Sequence, residues 1–247
     1  MKENSIMDIK AFASAVLLLA VSSPAYAQDK NQHPADHQHG SEIWHAFRLE
    51  TDYGAGQDGP VASWDLDGWI GTDENKLWIK SEGENSDGTT EQAEFWALYS
   101  RNVAEFWDLQ AGIRHDTQPH STSYAVFGIE GLAPFFVETE AHLFLSNEGD
   151  VTARLRREHD LLLTQRLIFQ PYVEINLSAQ DVEEQEIGAG FTQGEIGLQT
   201  RYEITRKFAP YVDLRYERKF GETSSIAKDN GEDNDDFIAA VGIRFMF

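Results

Sequence analysis

Phe106–Asp116 reads FWDLQAGIRHD. Trp107, Leu109, Ala111 and Ile113 occupy the odd positions. Asp108, Gln110, Gly112, Arg114 and Asp116 occupy the even ones. A strand sends successive side chains to opposite faces, so strict alternation predicts one apolar and one polar face. The same period runs through Phe135–Leu145, Leu167–Leu177 and the closing Phe237–Phe247, FIAAVGIRFMF.

Outward from this stretch, the pattern predicts about twelve strands near 43–52, 61–70, 76–82, 91–101, 106–116, 124–131, 135–145, 151–163, 167–178, 192–204, 209–220 and 237–247. Most approach the roughly 9–11 residues that a tilted strand needs to cross a bilayer. Short connections (71–75, 102–105, 132–134, 164–166, 205–208) alternate with longer ones (53–60, 83–90, 117–123, 146–150, 179–191, 221–236). An even strand count with short turns at one end and longer loops at the other predicts an all-β, antiparallel outer-membrane β-barrel. Both termini then face the periplasm. Trp64, Tyr99, Trp107, Phe135, Tyr202, Phe237 and Phe247 fall near segment ends, where interfacial girdles belong.

The N-terminal region is of another kind. Lys2 and Lys10 precede the apolar run Ala11–Val21, and Ala25-Tyr26-Ala27 follows, which predicts a secretory signal peptide over 1–27. Residues 28–42 form a polar leader, and 43–247 form the barrel.

The 247 residues carry 20 Lys+Arg against 42 Asp+Glu, a formal charge of -22, with no Cys. Thiolate metal sites, disulfides and cysteine nucleophiles are excluded. The acidic balance argues against nucleic acid as a partner. Any metal site must use imidazole and carboxylate. In the leader, His33, His37 and His39 stand in an H-x3-H-x-H spacing that can wrap one ion such as copper, nickel or zinc; the competing reading is a solvated tail. On the polar face, Glu138, Glu140 and His142 share a strand, with Glu174 on the same side two strands on. They read either as a transit site for a cation or as a salt-bridge ladder with Arg154, Arg156 and Arg201. The loops 179–191 and 221–236 are acidic, either collecting cations or simply solvated. Neither G-x-S-x-G nor H-E-x-x-H occurs, which speaks against an enzyme.

Several segments in order, Trp64–Glu84 (WDLDGWIGTDENKLWIKSEGE), Ala97–Asp116, Gly128–Phe136, Leu161–Pro171, Arg201–Val212 and Arg215–Thr223, resemble the copper resistance protein B family. The resemblance spans about Trp44 to Phe247. It implies an outer-membrane barrel among lipids and lipopolysaccharide, beside a periplasmic multicopper oxidase. It also implies a copper ion as ligand, bound, sequestered or passed outward. The alternative is a narrow pore or structural barrel without a metal role. Members of that family often carry a Met-rich leader. Here Met occurs only at Met1, Met7 and Met246, so the leader offers imidazole, which suits Cu(II).

Overall fold

The computed structural model describes residues 42–57 and 59–247. The expected signal peptide, and the leader with His33, His37 and His39, lie outside the described residues except for Glu42.

Twelve antiparallel staves close on themselves. In chain order the strands are β1 (Trp44–Ala55), β2 (Pro60–Gly71), β3 (Asn75–Ser86), β4 (Thr89–Ala104), β5 (Trp107–Gln118), β6 (Thr122–Ala133), β7 (Val137–Ser146), β8 (Val151–Glu158), β9 (Leu161–Leu162), β10 (Leu167–Ser178), β11 (Gly190–Tyr202), β12 (Phe208–Lys219) and β13 (Asp235–Met246). Apart from β8 and β9, consecutive strands pair with each other, and β13 returns to β1 from Arg48↔Met246 to Ala55↔Ala239. Closure leaves no open edge, so every stave has two partners for its backbone N–H and C=O groups.

The strands β8 and β9 form one stave, since both pair with β10. The break falls at His159–Asp160, opposite Pro171. His159 N donates to Pro171 O at 3.1 Å, and proline has no N–H to return.

Alternation sorts the side chains as expected. Leu77, Ile79, Phe95, Leu109, Ile113, Phe127, Leu143, Ile196 and Val241 all stand exposed on the outside. Glu94, Asp108, Gln110, Asp116, Arg201, Arg215 and Arg244 are buried inside. A large exposed apolar surface around an interior of charge reverses the arrangement of a water-soluble domain.

Two expectations need correction. Most of the connections read as long loops are short, because the strands run past the apolar stretch. The predicted loop 83–90 is a continuation of β3 and β4 to the pair Ser86↔Thr89, joined by Asp87-Gly88. Both turn residues have positive φ, 44° and 84°, as a two-residue type I′ hairpin requires. Only 179–189 and 220–234 are long, and the second contains a helix, α1 (Gly221–Asn230), that the alternation did not announce. The interior is also less uniformly polar than expected. Trp96, Leu98, Tyr124, Val126 and Phe144 form a buried apolar cluster inside the barrel against β4, β6 and β7.

Candidate functional site: the barrel lumen

The interior has a filled half and an empty half. Towards the end that carries the termini, the lumen is closed by buried polar groups. Arg244 pairs with Glu50 and donates to Gln170 (2.9 Å) and Gln199 (3.0 Å). Arg201 pairs with Asp160 and donates to the same Gln170 oxygen at 2.7 Å. Gln199 donates to Glu50 at 2.8 Å, and Arg48 reaches Glu158 at 3.4 Å. This network forms a floor.

Above the floor a cavity of about 560 Å³ opens towards the loops of the far end. Its walls include Asp52, Asp65, Glu84, Glu195, Asp213 and Glu217, with Arg154 and Arg215 among the cations. At the mouth the 179–189 loop lies against α1. Gly188 N donates to Thr223 Oγ1 at 3.0 Å, and Asn230 donates to Glu186 at 2.8 Å. The loop also crosses to the opposite wall, where Gln185 donates to the Tyr124 hydroxyl at 2.6 Å.

Arginines hold the upper lumen together. Arg154 joins Glu82, Glu94 (3.0 Å) and Glu174 (3.4 Å), and Arg114 joins Glu94 (2.6 Å) and Asp116 (2.5 Å). Both guanidiniums also lie over rings of the apolar cluster, Arg114 4.8 Å from the Phe144 centroid and Arg154 5.6 Å from that of Trp96. The cluster thus supplies aromatic faces to cations that are largely withdrawn from water. Burial of this kind is tolerated only where each charge is paired.

The predicted residues Glu138, Glu140, His142 and Glu174 share the lumen side; Glu140, His142 and Glu174 are already engaged, whereas Glu138 is exposed. Lys80 Nζ sits 2.6 Å from Glu140, 3.3 Å from Glu130 and 3.3 Å from Asp67, so an ammonium occupies the place of a bound cation. Glu174 accepts from Asn176 at 3.0 Å and pairs with Arg154 and Arg156. Glu138 faces Glu158 in register. The amide of Gln110 donates to Glu130 at 2.9 Å, which turns its oxygen to His142 Nε2 at 2.8 Å. That ring nitrogen therefore donates, and a metal could reach it only by breaking the bond. Among the described residues no group of three or more His, Asp and Glu is arranged to hold a metal ion.

One construction escaped the sequence reading. Three inward rings lie over glycines and reach a polar group beyond. The Tyr211 ring covers Gly242, its register partner, and its hydroxyl donates to Asp52 at 3.1 Å on β1. The Tyr172 ring covers Gly197, and its hydroxyl donates to Asp213 at 3.0 Å. His142 covers Gly128 and reaches Gln110. An interior strand glycine marks a close approach, and that was the available signal.

Comparison with known proteins adds the family. Residues 43–247 match the family described as Copper resistance protein B precursor (CopB). The chain belongs to the copper resistance protein B family. A Copper resistance protein B from Escherichia coli is 44% identical over 75% of this chain and 63% of its own length. A Copper resistance protein B homolog from Pseudomonas syringae pv. tomato (strain ATCC BAA-871 / DC3000) is 41% identical over 77% of this chain and 65% of its own. The chain thus spans somewhat under two thirds of the length of these relatives. Among solved structures, the NanC porin is similar at TM-score 0.57 and 13% identity, covering 80% of this chain and 98% of that one. The KdgM porin is similar at TM-score 0.52 and 10% identity, covering 82% and 99%. At such identities these likenesses concern the barrel fold alone.

Proposed function

We propose that this member of the copper resistance protein B family sits in the outer membrane with both termini in the periplasm, and that it binds copper there. In this reading residues 1–27 direct export, and the imidazoles of His33, His37 and His39 capture a copper ion. The barrel holds copper in its acidic lumen or releases it outward. Lipid and lipopolysaccharide surround the apolar exterior, a periplasmic multicopper oxidase works beside it, and no catalysis is assigned to the chain. Copper reaching Glu138, Glu140, His142 and Glu174 must compete with Lys80 and the arginines already there.

The observation that carries the reading is the family match across the whole barrel, residues 43–247. The charge-lined cavity above a closed floor supports retention in preference to free passage. The test is copper content of the purified protein, and copper tolerance of cells, for the native chain and for H33A/H37A/H39A. Reduced copper content and reduced tolerance in the triple variant are expected. Unchanged values would remove the leader from the mechanism. Unchanged tolerance on deleting the whole protein, with measurable conductance for other ions, would replace copper handling by a narrow pore.

A further inference from the structure

The segment between β10 and β11 is tied to itself more firmly than to the barrel. Val182 and Ile187 exchange backbone hydrogen bonds at 2.7 and 3.2 Å, and Asp181 Oδ1 accepts from Ala189 N at 2.7 Å across the base. At the tip, Gln185 N donates to Val182 O at 3.1 Å and Glu186 N to Glu183 O at 3.2 Å. Residues 181–189 therefore form a small self-bonded flap. Only Val182 and Gly188 of it are buried. Among the described residues three hydrogen bonds join the flap to the rest of the barrel, through Thr223, Asn230 and Tyr124. A unit with little buried apolar surface and few outside hydrogen bonds opens well before the barrel unfolds.

The two ends of the flap differ. Before it, Ala179 N donates to Val151 O at 2.9 Å and Gln180 to Asp150 at 3.1 Å, which fixes the chain up to Gln180. After it stands Gly190, at φ 98°, where nothing lies within 4 Å of the place a β-carbon would take. A glycine in open space can change its backbone angles without collision, as a hinge requires. Gln185, Glu186 and Ile187 line the lumen cavity together with Tyr124 and Thr223, so the flap roofs part of its mouth.

Charge works against closure. Residues 179–189 carry Asp181, Glu183, Glu184 and Glu186 and no Lys or Arg. Residues 221–236, which supply the partners Thr223 and Asn230, carry six Asp and Glu against the single Lys228. Lys219 of β12 answers one of the six, Glu232, at 2.7 Å. Like charges on both sides of a seam push it apart over a distance that salt sets. The three hydrogen bonds hold shut what this repulsion would open.

We propose that residues 181–189 are a lid on the lumen. It swings at Gly190, the hydrogen bond from Gln185 to Tyr124 is its latch, and falling ionic strength opens it. The floor stays shut, so the lumen exchanges its contents at the loop end. The lid acts on any solute of the lumen and does not rest on the copper reading.

The test exploits the absence of Cys: S63C places a single thiol in the cavity wall. Its rate of labelling by a bulky, uncharged maleimide, with the chain in detergent micelles, reports how often the lid is open. S121C, on the exposed loop before β6, controls for reagent reactivity. In the S63C background, Y124F and Q185A should each speed labelling about fivefold, the effect of losing one modest hydrogen bond. The combined Y124F/Q185A should be no faster than either, because both changes remove the same bond. Labelling of S63C should also be faster at about 0.01 M salt, where charges act over about 30 Å, than at about 1 M, where they act over about 3 Å. The rate at S121C should stay constant throughout. An unchanged rate in either single variant, additive effects in the double, or labelling no faster at low salt overturns the proposal. Heat-modifiable migration on gels checks that each barrel has closed, and the salt comparison needs neither lid variant.

Discussion

Gly242 has room for nothing larger, because a β-carbon there would stand 2.3 Å from the Tyr211 ring and 2.6 Å from the Thr51 carbonyl oxygen. The variant G242V should lose about 1–3 kcal/mol in denaturant unfolding. Arg154 gives a second test. Replacing it with Met removes a cation shared by Glu82, Glu94 and Glu174, leaving buried charge short of partners. A loss of about 3–5 kcal/mol is expected, read as a lower denaturation midpoint in micelles. Lys80 bears on ligand chemistry instead. The variant K80M vacates the place between Glu140, Glu130 and Asp67, and should raise the number of copper ions bound per barrel by titration; an unchanged number would exclude that cluster as a ligand set. Facing direction at this scale was legible, since alternation put Asp108, Gln110 and Arg114 on one side. Partnership was not. Arg154 and Glu82 lie 72 positions apart and meet only because staves on opposite walls converge across a filled lumen.

Elements differ in how openly the chain announces them. Strands bearing apolar alternation were read to within a few residues, as at Leu167–Ser178. The outer parts of β3 and β4 were missed because Glu84, Asn85 and Ser86 carry no apolar marker, although Asp87-Gly88 is itself a hairpin signal. The helix α1 was missed for a related reason: GETSSIAKDN buries only Thr223 and Ala227 and shows little periodicity. Its clearest marker is Gly231, at φ 81° just past its end, a common way to stop a helix. The 179–189 loop and α1 hold each other through Gly188 and Thr223. The variant T223A should therefore speed limited proteolysis within 179–189 while leaving denaturation of the barrel nearly unchanged. Equal cleavage rates would show that the hydrogen bond does not hold this loop in place.

For the molecule as a whole, the inverted distribution of polarity makes a depth-dependent prediction. A lysine at Ile113, 64% exposed near the middle of β5, should cost about 2–4 kcal/mol when folding is measured into lipid vesicles. At Phe135, in the turn before β7, the same charge should cost about 0–1 kcal/mol. Equal costs at both depths would mean that no lipid surrounds the exterior. The floor makes a further consequence concrete. A vessel shut at one end fills and then stops, so protection by retention scales with the number of copies and saturates at a fixed stoichiometry. Time would not increase it, as it would for a conduit. On the proposed retention, copper held at a given expression level should plateau at a value proportional to copies per cell, and tolerance should rise linearly with expression.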